Sequence, residues 1–148
     1  MNGYCRRQHG PLYLVILAAA AALLVGAWFM RHSVPAALAM LALAAVVALL
    51  ALSFVHLTVR DEGDHLAVRF GPLPLLGTRI AYREIKHVEQ GRSTVIDGWG
   101  VHWVLGRGWI FNLWGFDCVV IRTDRRTVRV GTDDPQGLTD FIRSRCGR

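Results

Sequence analysis

Two uninterrupted apolar runs, residues 11–30 and 34–55, stand near the start of the chain with only Arg31, His32 and Ser33 between them. Neither run contains a charged side chain. Each is about 20 residues long, and at a helical rise of about 1.5 Å per residue that length matches the roughly 30 Å hydrocarbon core of a bilayer. The pattern predicts a transmembrane helical hairpin within residues 1–56, with helices over 11–30 and 34–56. A secretory signal is the competing reading, because Arg6 and Arg7 precede a run that contains Ala18, Ala19 and Ala20. The run is longer than such a signal needs, and its removal leaves the second run as an anchor. Ala18, Ala22 and Gly26 recur at four-residue spacing, as do Ala44 and Ala48, a pattern that lets helices approach closely in lipid.

After residue 56 the period changes from helical to alternating. Val55, Leu57 and Val59 alternate with His56, Thr58 and Arg60, and beyond Asp61, Glu62, Gly63 and Asp64 the pattern resumes with Leu66, Val68 and Phe70 against His65, Ala67 and Arg69. This predicts a β-hairpin with one buried face, joined to the second helix without a flexible linker. Gly71, Pro72 and Pro74 break the run, Ile80 and Tyr82 suggest a third strand, and Ile85 and Val88 a fourth. Residues 116–123 and 127–131 flank Asp124, Arg125 and Arg126 as a second hairpin, with Val128 and Val130 inward and Arg129 outward. Asp134 followed by Pro135 then predicts a capped helix whose apolar stripe is Leu138, Phe141 and Ile142. The fold class is therefore α+β: a two-helix membrane hairpin followed by an antiparallel sandwich or barrel over 57–148, closed by a C-terminal helix.

Four of the five tryptophans fall between residues 98 and 115, among six other apolar residues and five glycines. One reading turns Val101, Trp103 and Leu105 inward as core, with the glycines allowing bulges and tight turns. The other makes Trp99, Trp103, Trp109 and Trp114, with Arg107, an exposed surface for lipid head groups or a partner protein.

Charge changes this picture little. Of the formal +6, Arg6, Arg7 and Arg31 supply three units, and residues 57–148 carry 14 basic and 11 acidic groups, so 14 minus 11 leaves +3. Basic and acidic side chains alternate along the domain, which argues against a nucleic-acid surface and leaves a modest attraction to anionic lipid as the electrostatic expectation. Arg122, Arg125, Arg126 and Arg129 form the densest basic group and the candidate anionic-lipid contact. Arg6 and Arg7 before the first helix, and Arg60 and Arg69 after the second, outweigh Arg31 between them. By that bias both termini and the domain face the cytoplasm, and the hairpin sits in the inner (plasma) membrane.

Catalytic chemistry finds no foothold. Gly98-x-Gly100 and Gly106-x-Gly108 lack the third glycine and the strand-to-helix setting of a dinucleotide loop. No serine sits in a nucleophile elbow, and the six histidines, at 9, 32, 56, 65, 87 and 102, lack metal-ligand spacing. His102, close in sequence to Asp97, is the one histidine with a setting that suggests a site. Cys5, Cys118 and Cys146 show no paired spacing, which points to a reducing compartment without disulfides, with Cys118 in the core. No catalytic, cofactor or metal residues are expected.

Phe70, Gly71 and Pro72, then Ile80 to Ile85 reading IAYREI, then Gly98 to Val101 reading GWGV, and finally Val130 to Pro135 reading VGTDDP followed by Leu138, resemble the bacterial pleckstrin-homology-like (PH-like) domains of small membrane-anchored proteins. The resemblance covers roughly residues 57–145. It implies two nearly orthogonal antiparallel sheets closed by a C-terminal helix, and a binding or assembly role served by a membrane-protein partner or by self-association. It brings no catalytic residues. Nor does it bring phosphoinositide binding, since the first hairpin loop here is the acidic Asp61, Glu62, Gly63, Asp64, which repels phosphate.

Overall fold

The computed structural model describes residues 3–73, 75–94 and 97–147; Pro74, one of the expected strand breakers, lies outside them. The two apolar runs form α1 (Leu12–Phe29) and α2 (Val34–Ser53), about 27 Å and 30 Å long at the helical rise. Both are long and apolar enough to cross a membrane. They pack on each other along Ala20 and Ala27 of α1 and Ala44 and Ala51 of α2, all buried. The seven-residue interval on each helix makes a seam of period 3.5 lined by alanine methyl groups. Of the small residues singled out by spacing, Ala44 is in the seam, Ala48 is half-buried and Gly26 meets Met40, whereas Ala18 and Ala22 face outward. The rest of the helix surface is bare hydrocarbon: Val15 is 68% exposed, Leu38 61% and Phe29 73%.

The remainder folds as two sheets and a helix. The first sheet has the order β1-β2-β3-β4, from β1 (Cys5–His9), β2 (His56–Asp61), β3 (His65–Phe70) and β4 (Gly77–Ala81), all antiparallel. The second has the order β5-β8-β9-β7-β6, from β5 (Ile85–Arg92), β6 (Gly100–Val104), β7 (Gly108–Asn112), β8 (Asp117–Thr123) and β9 (Thr127–Gly131). Strand β1 was not anticipated. It precedes the first apolar run yet pairs with β2, beyond the second, so residues on both sides of the helical pair build one sheet. The second sheet also departs from a purely antiparallel one, since β7 and β9 run parallel with Trp109 opposite Val128. From β7 the chain crosses to β8 and leaves a gap, and β9 returns through it. Tyr82, expected at the end of a strand, begins a short 3-10 turn instead, and its hydroxyl donates to Asp61 Oδ1 at 2.9 Å.

Strand alternation fills the space between the sheets. Leu57, Val59, Leu66, Val68, Phe70 and Ile80 from the first meet Val88, Phe111, Val119, Ile121, Val128 and Val130 from the second. Each such side chain contributes about 1.5–3 kcal/mol by leaving water. Helix α3 (Pro135–Cys146) covers one end with Leu138 and Ile142; its first turn is capped as expected, Asp134 Oδ1 accepting from Gly137 N at 3.0 Å. Cys118 is buried, and Cys5 and Cys146 are exposed free thiols. Trp114 and Asp134, at one end of the second sheet, reach β1 through Gln8 and Arg6, and the β8–β9 turn at the other end reaches β4 through Arg126 and Thr78. The strands of one sheet therefore cross those of the other.

The helical pair closes the opposite end of the core from α3. Leu12 at the start of α1 and Phe54 just beyond α2 both pack against the core cluster, and the Phe54 ring lies edge-on to Phe70 at 5.5 Å. Gly71 follows at φ +58°, where a Cβ would lie 2.6 Å from Ser53 Cα, so only glycine lets β3 leave the sheet against the end of α2. No flexible linker separates helices and domain.

Candidate functional site

The tryptophan-rich segment is a hairpin, β6 and β7, at the edge of the second sheet. Trp103 pairs with Trp109 and Val101 with Phe111, so all four side chains share one face. Only the half nearest Phe111 meets the core. Phe111 is buried and Val101 packs on the cluster, whereas Trp103 is 56% exposed and Trp109 38%. The inward alternation of Val101, Trp103 and Leu105 therefore fails after Val101. The hairpin outruns the sheet it could pack on, and Leu105 at its tip is exposed. What the core takes from this segment is Phe111 and Leu113, with Val101 packed against it; Ile110 is buried on the opposite face of β7.

At the other end of the hairpin Trp99 and Trp114 stack at 4.5 Å with an interplanar angle of 24°, and Trp99 Nε1 donates to the Gly115 carbonyl at 3.4 Å. Both rings remain exposed. Gln8 Nε2 donates to the Trp114 carbonyl at 2.9 Å, and a Cβ on Gly10 would lie 2.7 Å from the Trp114 Cβ. Gly100, beside Trp99, lies against the Phe54 ring. The stack thus sits where α1 begins and α2 ends.

Arg107 is committed elsewhere. Its guanidinium donates to both carboxylate oxygens of Asp97, at 2.6 and 2.5 Å, and Asp97 also accepts from Thr94 N at 2.6 Å and Thr94 Oγ1 at 3.1 Å. Burial pulls the Asp97 carboxyl upward, but the two Thr94 donors and the Arg107 charge outweigh it and hold the group below the usual carboxylate range. His102 Nε2 lies against the Asp97 carbonyl. These contacts pin the loop before β6 to the hairpin, which gives Asp97, Arg107 and His102 a structural task.

The basic group expected to meet lipid does not converge. Arg122 pairs with Glu89 at 2.8 Å, Arg126 donates to Thr78 Oγ1 at 3.0 Å and to the Arg79 carbonyl, Arg125 projects from the turn, and Arg129 is half-buried. A denser concentration lies on the outer face of the first sheet, where Arg7, Arg60, Arg69 and Arg79 stand with His9, His56 and His65. The alternation of β2 and β3 already turned four of these outward; without the pairing of β1, the face could not be assembled from sequence. Glu62 at the turn is its main acid, bound by Arg69 at 2.7 Å and His65 at 2.8 Å. Asp64 first, and Glu62 second, raise the pKa of His65. His56 is pushed the other way by burial, Arg7 and His9.

Among the described residues no three His, Cys, Asp or Glu side chains lie close enough together to hold a metal ion. Compared with models of protein families, with curated proteins and with solved structures, the chain matches none.

Proposed function

We propose that the chain is a membrane-anchored, non-catalytic binding module: α1 and α2 cross the bilayer, and the β-domain lies against its surface with the β6–β7 hairpin in the interfacial layer. The Trp99–Trp114 stack carries this reading, because it is exposed and sits beside both helix ends. Amphipathic tryptophan rings gather at that depth in membrane proteins. At the far turn Trp28 and Arg31 form a second interfacial pair, with the guanidinium 4.8 Å from the ring. The pairing of β1 with β2 supports an N-terminal segment and a domain on one side of the membrane, the arginine bias favours the cytoplasmic side, and the resemblance to bacterial PH-like domains supports a bacterial inner membrane. Two crossed sheets closed by a helix, with the motif order given above, support the PH-like assignment.

The test is fluorescence quenching in bilayers, using Trp28→Phe to leave the four hairpin tryptophans. Lipids carrying a quencher near the head group are expected to quench strongly, and aqueous iodide weakly. Strong iodide quenching with no lipid quenching refutes the interfacial placement. That outcome favours the assembly reading, in which the outer edge of β6, which pairs with no strand among the described residues, joins a second copy or a membrane protein.

A further inference from the structure

The outer face of the first sheet holds a groove of about 400 Å³, walled by Arg7, Arg60, Arg69, His56 and Thr58, with one carboxylate, Glu62, in its lining. Its floor is Ala67, which is buried although it points away from the core, because Arg60 pairs opposite it and longer side chains stand around it. Arg69 is shared with Glu62, but among the described residues no carboxylate pairs with Arg7 or Arg60. Two guanidiniums over a methyl floor, neither paired with a carboxylate because Glu62 is taken up by Arg69, His65 and Arg79, form a donor set that suits phosphate oxygens.

The position of the groove selects the source of the phosphate. Strand β1 ends at His9, just before α1, and β2 begins at His56, just after α2. At about 3.3 Å per residue, Arg7 and Arg60 stand about 7 and 13 Å along their strands from His9 and His56, the strand ends nearest the helices. The polar layer of a bilayer leaflet is about 5–8 Å deep. Arginine stems directed upward therefore reach it. We propose that this groove binds the phosphate of an anionic phospholipid head group, with Arg7 and Arg60 as its principal donors. The proposal rests on the membrane placement given above.

The experiment uses the full chain in nanodiscs of phosphatidylcholine, alone or mixed with phosphatidylglycerol. Incorporation tests the membrane reading, and failure to incorporate overturns both. Once incorporated, native mass spectrometry of the protein released from mixed discs is expected to show phosphatidylglycerol retained over phosphatidylcholine. The Arg7→Gln/Arg60→Gln variant should lose that preference by about thirtyfold, and Arg7→Gln alone, at an exposed edge-strand position, by about fivefold. Arg125→Gln/Arg126→Gln should keep it. By NMR, phosphatidylglycerol should raise the His56 pKa, and inorganic phosphate added to phosphatidylcholine discs should not. An unchanged preference in both groove variants overturns the proposal, as does an equal His56 response to inorganic phosphate, which reassigns the groove to a soluble anion.

Discussion

Arg107→Gln should open the β6–β7 hairpin more than Asp97→Asn, although both break the same ion pair. The two partners differ in exposure: the Asp97 side chain is 1% exposed and that of Arg107 40%. Without Arg107 the carboxylate stays buried with only Thr94 as donor. Breaking a buried pair from that side costs about 3–5 kcal/mol, and partial hydration of the arginine sets the value here near the lower end, about 3 kcal/mol. In Asp97→Asn the side-chain amide oxygen would still accept from Thr94 N, and the released guanidinium turns to water, so the cost there is about 1.5 kcal/mol. Hydrogen exchange of the β6 and β7 amides reads these numbers as local opening. Exchange should accelerate about 150-fold in Arg107→Gln and about tenfold in Asp97→Asn. Equal acceleration, or the reverse order, refutes the argument from burial. The pH dependence is a second check. The Asp97 pKa is depressed in the folded chain, so its contribution is fully present above the unfolded value of about 3.9 and is lost as pH falls through the lower folded value. Corrected for intrinsic rates, hairpin protection should hold from neutral pH to about 5 and fall in more acidic solution, while the Asp97→Asn variant shows no such step.

Membrane-impermeant maleimide should label Cys5 and Cys146 from the same side of a sealed vesicle, and Cys118 only after unfolding. Cys146 should react the more slowly at neutral pH, since burial raises its thiol pKa. Gly71→Ala should lower the thermal midpoint measured in micelles, by about 2 kcal/mol or more of stability, because φ +58° is strained for alanine and the Cβ meets Ser53. Tyr82→Phe should cost about 1 kcal/mol in the same assay through the lost hydrogen bond to Asp61, whose carboxylate keeps Gly63 N and Arg145 as donors.

The elements with a periodic signal were legible in the sequence. The two helices, the β2–β3 and β8–β9 hairpins and the Asp134 cap all follow from local pattern, and all lie within a few residues of where that pattern put them. Strand β1 was not legible, because Cys5, Arg6, Arg7, Gln8 and His9 carry no apolar alternation; their outer-edge position asks for none, and their partner is far along the chain. The same gap hid the basic face, since Arg7 joins Arg60 only through that pairing. The tryptophans mislead for a different reason. Val101, Trp103 and Leu105 alternate as core residues do, but alternation reports which residues share a face and says nothing of how far the opposing sheet extends.

The pairing of β1 with β2 across the helical pair has a consequence for biogenesis. Strand β1 leaves the ribosome first, yet its partner emerges only after both helices have been made. Under the proposed membrane placement, if only one helix crosses, β1 and β2 are left on opposite faces of the bilayer and the first sheet cannot be completed. Tyr4, stacked on Phe141 at 5.3 Å, and Arg6, 3.4 Å from Asp134, then also lose their places against the C-terminal helix. On that placement, completing the first sheet therefore requires both helices to cross together, and a chain threaded otherwise would leave the β2 edge bare.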